Sequence, residues 1–393
     1  MKKLFFFLFL AFFFPDLCFS QTDSCSLRIS LLTCAPGEEL YASFGHTALR
    51  VQDSVNKTDL VFNYGTFEFS PDFEMKFIKG KLLYSLSVES FPDFLYAYQV
   101  ESRSVQEQVL QLNCSEKMRL RQALVVNAQE QNRYYRYDFL FDNCTTRAGD
   151  MVIKNADSPV VFENILPDNR PSFRDLIHSY LDAGHQYWSK LGIDILLGVK
   201  VDRKASNHEA MFLPDYLLKG FDHAHIGQHS LASKPTTILE KPSPLQDAST
   251  FTPTLVFILL LVLGILLSVV RRPRVRAFLG IFDFLFFLVL GLSGLLILFM
   301  WFGTDHKVCQ NNFNLAWALP TNVVAAFFVR NKKSWVKYYF LIVYIESILL
   351  LAAWFFIPQQ MNGALLPVVL LIIFRSAMLS KLRFYAGKRN HPQ

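Results

Sequence analysis

Long apolar runs, separated by short polar or basic segments, occupy the chain from Phe251 to near its C-terminus. Because a membrane-spanning helix needs roughly 20 apolar residues, this pattern predicts an α-helical membrane domain of about five spans within residues 251–380. Pro320 interrupts the third run and Arg375 interrupts the fifth. The predicted spans are residues 251–270, 277–302, 315–329, 338–358 and 364–379.

The first 20 residues show the pattern of an export signal. Lys2 and Lys3 precede an apolar run at 4–14, and small residues follow around position 18. The apolar run is too short to cross a membrane, so the sequence predicts a cleaved signal peptide at 1–20. An uncleaved anchor is the alternative.

Residues 21–220 begin with short apolar or β-branched runs and then change to helical spacing. Runs bounded by Gly, Pro and Asp predict strands in the first half, and apolar residues at i, i+3 and i+4 predict helices at 116–129 and 145–154. We therefore expect an α+β domain that is long enough for its own core. Residues 221–250 lack periodicity and predict a tether to the first span. The predicted strands are residues 27–34, 46–52, 60–64 and 82–88.

The net charge of +6 is unevenly distributed. Residues 252–393 hold 14 Lys and Arg against three Asp and Glu, whereas residues 21–251 hold 23 against 29. The basic residues of the C-terminal part cluster in the loops at 271–276 and 330–337 and in the tail at 381–393. The positive-inside bias places these segments in the cytoplasm and the N-terminal domain on the other side of the membrane. Because the basic excess accompanies apolar segments rather than a folded polar surface, nucleic-acid binding is not predicted.

Asp283 and Glu346 are carboxylates within the second and fourth predicted spans. An ionisable residue inside the membrane is by default a functional candidate. Both residues lie near the cytoplasmic ends of their predicted spans. The alternative to a functional role is therefore an acid that is protonated or paired with a nearby group.

Cys144 is the candidate nucleophile. Five cysteines remain after cleavage of the signal, so at least one thiol of an exported, disulfide-forming chain is free. Cys25 with Cys34, or either of them with Cys114, could pair. Cys144 follows an Asp-Asn dipeptide where a helix is predicted to begin, and the helix dipole there stabilises a thiolate. The alternative is a small buried side chain or half of a disulfide.

His46 and Asn63 are the candidate partners of this thiol. His46 follows a glycine at the start of a predicted strand, and Asn63 lies on the next strand. In a Cys-His-polar constellation the imidazole acts as the base and the polar residue orients the ring. Glu68 is an alternative orienting residue. The histidines at 223, 225 and 229 fall in the predicted tether without a fixed framework, so neither a metal site nor a cofactor is predicted.

Seven segments stand out as motifs: LLTCAPGEE at 31–39, FGH at 44–46, NYGTF at 63–67, DNCTTR at 142–147, GIDILLG at 192–198, TDH at 304–306 and NFNLAWALP at 312–320. The order of His, a polar residue one strand later and Cys at a helix start resembles the circularly permuted papain-like fold, which includes the lecithin:retinol acyltransferase relatives. The complete set resembles the Lnb family, the lipoprotein N-acyltransferases of Bacteroidota, over nearly the whole chain.

The resemblance implies an acyltransferase with two partners. The donor would be a membrane phospholipid, and the acceptor would be the α-amine of the S-diacylglyceryl cysteine of a diacylated lipoprotein. Cys144 would form a thioester, His46 would transfer protons and Asn63 would orient His46. The family also implies a bacterial inner-membrane protein that spans the membrane several times and has its catalytic domain, residues 21–220, in the periplasm.

Further residues are predicted around this site. Asn143, Cys34 and Tyr64 would act as oxyanion donors or supporting residues, with Asn143 as a simple turn former being the alternative. The external loop after the second span would orient a phospholipid or the acceptor, through Asp305, His306, Asn312 and Asn314. Several Phe side chains would line an acyl pocket, with ordinary core as the alternative: Phe67, Phe69, Phe73, Phe77, Phe91 and Phe94.

Three rival functions use the same residues differently. A papain-like hydrolase would cleave peptidoglycan or peptide amides with the same dyad, although several membrane spans add little to that task. A phospholipase would pass the acyl chain to water. A membrane receptor or assembly factor would carry a papain-like domain without activity, and the complete set of His46, Asn63 and Cys144 argues against this alternative.

Overall fold

The computed structural model describes residues 25–67, 71–242, 250–331 and 333–381. The predicted signal peptide at 1–20, the alternative residue Glu68, the predicted pocket residue Phe69 and the cytoplasmic tail beyond 381 lie outside these ranges. The described residues form an α+β domain with antiparallel sheets, followed by a bundle of apolar helices. This general fold class agrees with the prediction.

Ten strands and 13 α-helices are formed by the described residues. The strands are β1 (Leu27–Cys34), β2 (His46–Asp53), β3 (Thr58–Thr66), β4 (Leu83–Ser90), β5 (Val105–Val109), β6 (Tyr134–Arg136), β7 (Val160–Phe162), β8 (Ala224–Ile226), β9 (His229–Ser230) and β10 (Thr236–Leu239). The helices are α1 (Phe73–Ile78), α2 (Phe91–Val100), α3 (Cys114–Asn127), α4 (Cys144–Asn155), α5 (Phe173–Ala183), α6 (Tyr187–Leu196), α7 (Asn207–Ala210), α8 (Pro214–Asp222), α9 (Pro253–Val269), α10 (Pro273–Phe302), α11 (Asn322–Ala326), α12 (Ser334–Ala353) and α13 (Leu366–Leu379).

A seven-stranded antiparallel sheet in the order β10-β5-β1-β2-β3-β4-β6 forms the centre of the first domain. All four predicted strands are present in it. The register pairs Cys34 of β1 with His46 of β2, and Asn63 of β3 with Ser87 of β4. Since side chains alternate between the two faces of a strand, this register decides which residues meet His46.

Each face of the sheet has its own core. On one face, Leu31, Leu49 and Phe62 pack with Leu120 of α3 and Val152 of α4. The other face carries a smaller cluster that includes Phe94 and Tyr98 of α2. The sheet is therefore covered by helices on both faces, and α4 is held against it by apolar contacts along its length.

The prediction of a tether at 221–250 is wrong for residues 224–239. Strands β8 and β9 pair with each other and with β7, and β10 pairs with β5 at the edge of the large sheet. These strands are two to four residues long, which is too short to produce a periodic pattern in the sequence. Residues 243–249 lie outside the described ranges.

The apolar helices of the C-terminal part follow the predicted spans except at the third. Helices α10 and α12 are long and apolar enough to cross a membrane, and α9 and the segment Gly363–Leu379 are shorter apolar helices. The predicted span at 315–329 is not one helix, because a 3₁₀ turn at Phe313–Ala316 and the short α11 flank Pro320. Proline removes a helical hydrogen bond and clashes with the preceding turn.

Asp283 lies in a buried ion pair within the helical bundle. The Arg375 guanidinium donates to both carboxylate oxygens of Asp283 at 2.7 and 2.8 Å, and to the Ser268 hydroxyl at 2.6 Å. The three residues belong to α13, α10 and α9, so this contact joins three helices. Asp283 is therefore a locally paired acid, which was the alternative to a functional role. Glu346 lies part-buried on α12.

A second buried ionic cluster joins the first domain to a loop of the helical bundle. Arg174 of α5 is fully buried and pairs with Asp194 at 2.7 Å and with Asp202 at 2.8 Å. The other carboxylate oxygen of Asp194 accepts from the Asn362 amide at 2.8 Å, and Asp202 accepts from the Gln360 N–H at 3.0 Å. Asn362 and Gln360 precede α13, so the domain is anchored to the loop between α12 and α13.

Candidate active site

Cys144 is the first residue of α4, and Asn143 is the helix cap. The Asn143 side-chain oxygen accepts from the N–H groups of Thr145 and Thr146 at 2.8 and 2.9 Å. Its amide donates to the carbonyls of Phe139 and Phe212. Asn143 is buried and its polar atoms are all engaged, so it forms the turn and leaves no group for an oxyanion. The cap fixes Cys144 at the positive end of the helix dipole.

Gly45 determines where His46 lies. Its φ of +79° belongs to the left-handed region, and a Cβ at this position would come within 2.7 Å of the Cys34 carbonyl oxygen. Only glycine adopts this conformation without strain and allows the close approach. The chain therefore turns sharply into β2, and His46 is placed at the end of the sheet beside the N-terminus of α4.

Asn63 orients the His46 ring. Nε2 of His46 lies 2.6 Å from Oδ1 of Asn63, and the Asn63 amide donates to Oε1 of Glu89 at 3.0 Å. With the Asn63 oxygen as the acceptor, Nε2 carries the proton and Nδ1 is available to the thiol. The order Glu89, Asn63, His46, Cys144 thus forms a connected polar chain. Glu89 was not anticipated because its position depends on the pairing of β3 with β4.

The Cys144 thiol is activated by its neighbours. Burial acts to raise the Cys144 pKa, but the charge and hydrogen bond of His46 outweigh burial, and with the Thr47 N–H and the Thr145 hydroxyl they lower the pKa to about 7. Burial acts to lower the pKa of His46, and the Cys144 thiolate and Asn63 outweigh it and raise that pKa above its usual value. A thiolate and an imidazolium therefore stabilise each other near neutral pH.

Alkylation of Cys144 is expected to follow this pKa. In the full-length protein the rate with iodoacetamide should rise with pH around a midpoint of about 7. The other free thiols among the described residues, Cys34 and Cys309, should not react there, because burial raises the pKa of each to about 12. In His46→Ala the charge and hydrogen bond of His46 are lost while burial remains, so the midpoint of Cys144 alkylation should move to higher pH. Mass spectrometry of the labelled peptide measures this, and an unchanged midpoint in His46→Ala would contradict the pairing.

Gly65 and Tyr135 lie on the open side of the thiol. Gly65 has a φ of +88°, and a Cβ there would lie 3.4 Å from Cys144 Cβ and 4.0 Å from the Tyr135 hydroxyl. The Tyr135 hydroxyl is buried and donates to no described group, while its oxygen faces the Gly65 N–H as a hydrogen-bond donor. Burial raises the Tyr135 pKa, so the hydroxyl keeps its proton. A buried donor without an acceptor is rare in proteins, and this one lies beside the nucleophile. Its isolated sequence position gave no signal.

Cys34 and Tyr64 have structural surroundings. Cys34 is fully buried, and Tyr98 is its hydrogen-bond partner. Tyr64 packs in the core on the α4 face of the sheet and donates from its hydroxyl to Asn127 at 2.6 Å. Neither offers a polar group to the thiol. The disulfide joins Cys25 and Cys114, one of the pairings that the sequence left open, and fastens α3 to the start of β1.

Asn312 and Asn314 are buried at the junction between the domain and the helical bundle. The Asn314 amide donates to the Asp194 carbonyl at 2.8 Å, and the Asn312 amide donates to the Ile195 and Leu196 carbonyls. Both side chains are almost completely inaccessible, so the prediction that they bind a substrate is not supported. They fix α6 to the loop after α10 instead.

Asp305 and His306 make a second junction with the domain. The Asp305 N–H donates to the Lys79 carbonyl at 3.0 Å, and the Asp305 carboxylate lies 3.4 Å from the Arg136 guanidinium. Nε2 of His306 lies 3.1 Å from the Phe77 carbonyl oxygen. These residues remain partly accessible, and they hold the segment around α1 against the end of α10.

Two of the predicted acyl-pocket residues lie elsewhere. Phe94 is buried under the opposite face of the sheet, and Phe91 lies beneath the Arg50 guanidinium at 3.3 Å. Both are held by core or cation–π contacts, so the alternative of ordinary core applies to them. Phe67, Phe73 and Phe77 lie together near α1.

The geometry supports nucleophilic chemistry at Cys144. A thiolate, a base whose ring is oriented by an amide, and a free hydroxyl next to the thiol are the parts that attack on a carbonyl requires. Among the described residues, no group of three or more His, Cys, Asp or Glu side chains is arranged to hold a metal ion.

Comparisons with known protein families agree with this division of the chain. Residues 13–167 match the Lnb N-terminal periplasmic domain, and residues 245–386 match the Lnb transmembrane domain. No curated protein and no solved structure matches the chain. The prediction of an inner-membrane protein whose Cys144-bearing domain lies in the periplasm is confirmed.

Proposed function

Because the chain belongs to the Lnb family, we propose that it is a lipoprotein N-acyltransferase. It moves an acyl chain from a membrane phospholipid, through a thioester on Cys144, to the α-amine of S-diacylglyceryl-cysteine lipoproteins. The observation that supports this most directly is a thiol with a pKa of about 7 in contact with an oriented imidazole. This pair belongs to a domain that is anchored to the membrane helices, so both lipid substrates are within its reach.

We also propose the more detailed architecture. The domain is a circularly permuted papain-like fold, in which His46 and Asn63 on neighbouring strands precede Cys144 at a helix start. The membrane domain has about five spans. Support for the permutation comes from the antiparallel sheet and the chain order of the three residues. The charge distribution and the apolar helices support the number of spans, with residues 313–329 packed against α10 as an irregular third passage.

The first half-reaction forms the thioester. His46 takes the proton of Cys144, and the thiolate attacks the ester carbonyl carbon of the phospholipid. The new C–S bond creates a tetrahedral oxyanion. When the bond to the glycerol oxygen breaks, His46 returns the proton to that oxygen and a lysophospholipid leaves.

The second half-reaction uses the same groups in reverse. The neutral α-amine of the lipoprotein attacks the thioester carbonyl, and His46 accepts a proton from its nitrogen. The C–S bond breaks, an amide remains on the lipoprotein, and Cys144 is regenerated. Transfer exceeds hydrolysis only if water is kept from the thioester, which the burial of Cys144 favours.

The oxyanion is stabilised by the N–H of Cys144 and the hydroxyl of Tyr135. Among the described residues, neither donor has a hydrogen-bond acceptor. Tyr135→Phe is expected to lower kcat by about 10² to 10³ while leaving the pH midpoint of Cys144 alkylation unchanged. Comparing donor turnover with alkylation in the same preparation tests this. Equal turnover in Tyr135→Phe and wild type would remove the hydroxyl from the mechanism.

The function is tested by complementation. The full-length chain is expressed in a Gram-negative strain depleted of its own apolipoprotein N-acyltransferase, and the N-termini of its lipoproteins are examined by mass spectrometry. We expect triacylated N-termini with the wild-type chain and diacylated ones with Cys144→Ser. Equal rescue by Cys144→Ser would refute the catalytic assignment. Free fatty acid release without N-acylation would favour a phospholipase, and cleaved peptidoglycan would favour a hydrolase.

A further inference from the structure

Helix α1 carries apolar side chains that the described residues cover only in part. None of its six residues is buried, and Met75, Phe77 and Ile78 expose 54%, 52% and 42% of their surface. Leu83 at the start of β4 exposes a further 51%. A contiguous apolar patch of this kind on a folded domain usually marks a surface that contacts a partner or a membrane.

The contacts of α1 indicate that its surroundings are the membrane. Asp305 and His306 bind the carbonyls of Lys79 and Phe77 at 3.0 and 3.1 Å, and they follow the last turn of α10 directly. Phe302, the last residue of that helix, is 73% exposed, so an apolar ring lies uncovered at the end of a helix that is long and apolar enough to cross a membrane. Helix α1 is therefore held at the depth of the outer-leaflet headgroups and upper acyl chains.

The charges beside α1 fit the same position. Lys79 and Lys81 follow its apolar residues, and Lys76 within the helix pairs with Asp72 at 2.8 Å. Lysines around an apolar segment at the interface lie close to phosphate groups, which attract them. In such a segment the apolar side chains contact the acyl chains of a phospholipid surface, and the lysines contact its phosphates.

A row of aromatic rings leads from α1 towards the thiol, and we call it the aromatic track. Ring centroids are separated by 6.2 Å between Phe77 and Phe73, 5.4 Å between Phe73 and Phe67, 5.4 Å between Phe67 and Tyr84, and 4.3 Å between Tyr84 and Tyr137. None of these five rings is fully buried. An acyl chain can therefore lie along them without displacing the core.

The track ends next to the reacting atoms. Tyr84 also lies 6.5 Å from Tyr135, and the Tyr135 hydroxyl is beside Gly65 and Cys144. The track begins with three Phe rings and continues through tyrosines, and the buried hydroxyl at its end donates to no described group. That order matches a fatty acyl ester, which has a long apolar chain and a single polar carbonyl at one end.

We propose that α1 inserts into the outer leaflet and that the aromatic track binds one acyl chain of a phospholipid there, with its ester carbonyl at Cys144. This inference rests on the proposed acyltransferase function, because it names the site through which the donor reaches the thiol. The lipid comes from the membrane that the protein spans and moves along the track without leaving the bilayer completely.

Activity with two donors tests the site in the full-length protein. Phe77→Asp is compared with Met118→Asp, which alters an equally exposed apolar residue on α3. With a dipalmitoyl phospholipid in vesicles, Phe77→Asp should lower kcat/KM by at least about tenfold, and Met118→Asp should match wild type. With monomeric dihexanoyl phospholipid, whose short chains occupy only the end of the track beside the thiol, Phe77→Asp should lose much less activity than with vesicles, and Met118→Asp should again match wild type. The proposal would be overturned if wild type, Phe77→Asp and Met118→Asp had the same kcat/KM with vesicles. It would also be overturned if Phe77→Asp lost the same factor in kcat/KM with both donors.

A measurement without catalysis separates this inference from the proposed function. A fluorophore attached at position 77 should be quenched by brominated acyl chains in the vesicles, whereas one at position 118 should not. Absence of quenching at position 77 would show that α1 does not enter the bilayer. If wild type transfers no acyl group from either donor, the proposed function fails, and the quenching result still decides the insertion.

Discussion

A Cys144→Ala variant is expected to form no acyl-enzyme and to lose transfer by at least about 10⁴-fold. When the wild-type protein meets phospholipid without a lipoprotein acceptor, its mass should increase by one acyl group as one lysophospholipid is released. Addition of a diacylated lipopeptide should then remove the acyl group. The reason is that Cys144 carries the only free thiol of the described residues with a lowered pKa.

Two further variants make this experiment specific. His46→Ala keeps the thiol but loses the base, and its acylation should slow by about 10² to 10⁴. Cys34→Ala removes the neighbouring thiol, which burial keeps protonated by raising its pKa to about 12, and it should acylate as wild type does. Intact-protein mass spectrometry measures all three. An acyl group located on Cys34, or normal acylation of Cys144→Ala, would contradict the mechanism.

Arg174→Ala is expected to destabilise the periplasmic domain by about 3 to 5 kcal/mol, because it removes the guanidinium from two buried carboxylates. Asp194 then keeps His178 at 2.8 Å, and Asp202 keeps the Gln360 N–H at 3.0 Å. Arg174 is fully buried, and Asp194 and Asp202 are at most 9% exposed at their side chains. A loss of this size should lower Tm by about 10 °C. Thermal unfolding of the detergent-solubilised protein measures it.

The matched control for this prediction is Lys154→Ala. Lys154 forms an exposed ion pair with Asp150 one helical turn away, and such pairs contribute about 0.5 kcal/mol or less. Its Tm should remain close to that of wild type. If Arg174→Ala unfolds at the same temperature as Lys154→Ala, the buried cluster does not hold the domain to the membrane loops.

Local patterns in the sequence were sufficient to select the three residues that the structure brings together at the candidate site. The Asp-Asn dipeptide before Cys144 signals a helix cap, and Gly45 before His46 signals a turn into a strand. Asn63 is a polar residue on the next predicted strand, which places it within reach of His46. These features depend on neighbours within a few residues, where capping and turn chemistry act.

Residues whose roles depend on long-range pairing were missed. Glu89 reaches Asn63 only because β4 pairs with β3 in one register, and Tyr135 reaches the thiol from a three-residue strand at the far edge of the sheet. The edge strand β10 pairs with β5, more than 100 residues away in the sequence. Register is set by packing between strands, so a single sequence does not display it.

The buried asparagines show a different limit. Asn312 and Asn314 belong to a motif, and polar residues in an external loop suggested a substrate site. In the structure their amides instead satisfy backbone carbonyls at the end of α6. A buried carbonyl without a partner is unfavourable. The polar residues of this motif are therefore explained by the need to satisfy the carbonyls at the end of α6, which the membrane loops cover.

Two of the junctions between the periplasmic domain and the loops of the membrane helices fix the height of Cys144 relative to the bilayer. One junction joins α6 to the loop after α10, and the other joins the segment after α1 to Asp305 and His306. Under the proposed function, a thiol held in this way meets the phospholipids of the bilayer by their diffusion in the plane of the membrane. Its rate therefore depends on the mole fraction of donor among the surrounding lipids. Diluting the donor with inert lipid slows such an enzyme, whereas diluting the whole suspension with buffer does not.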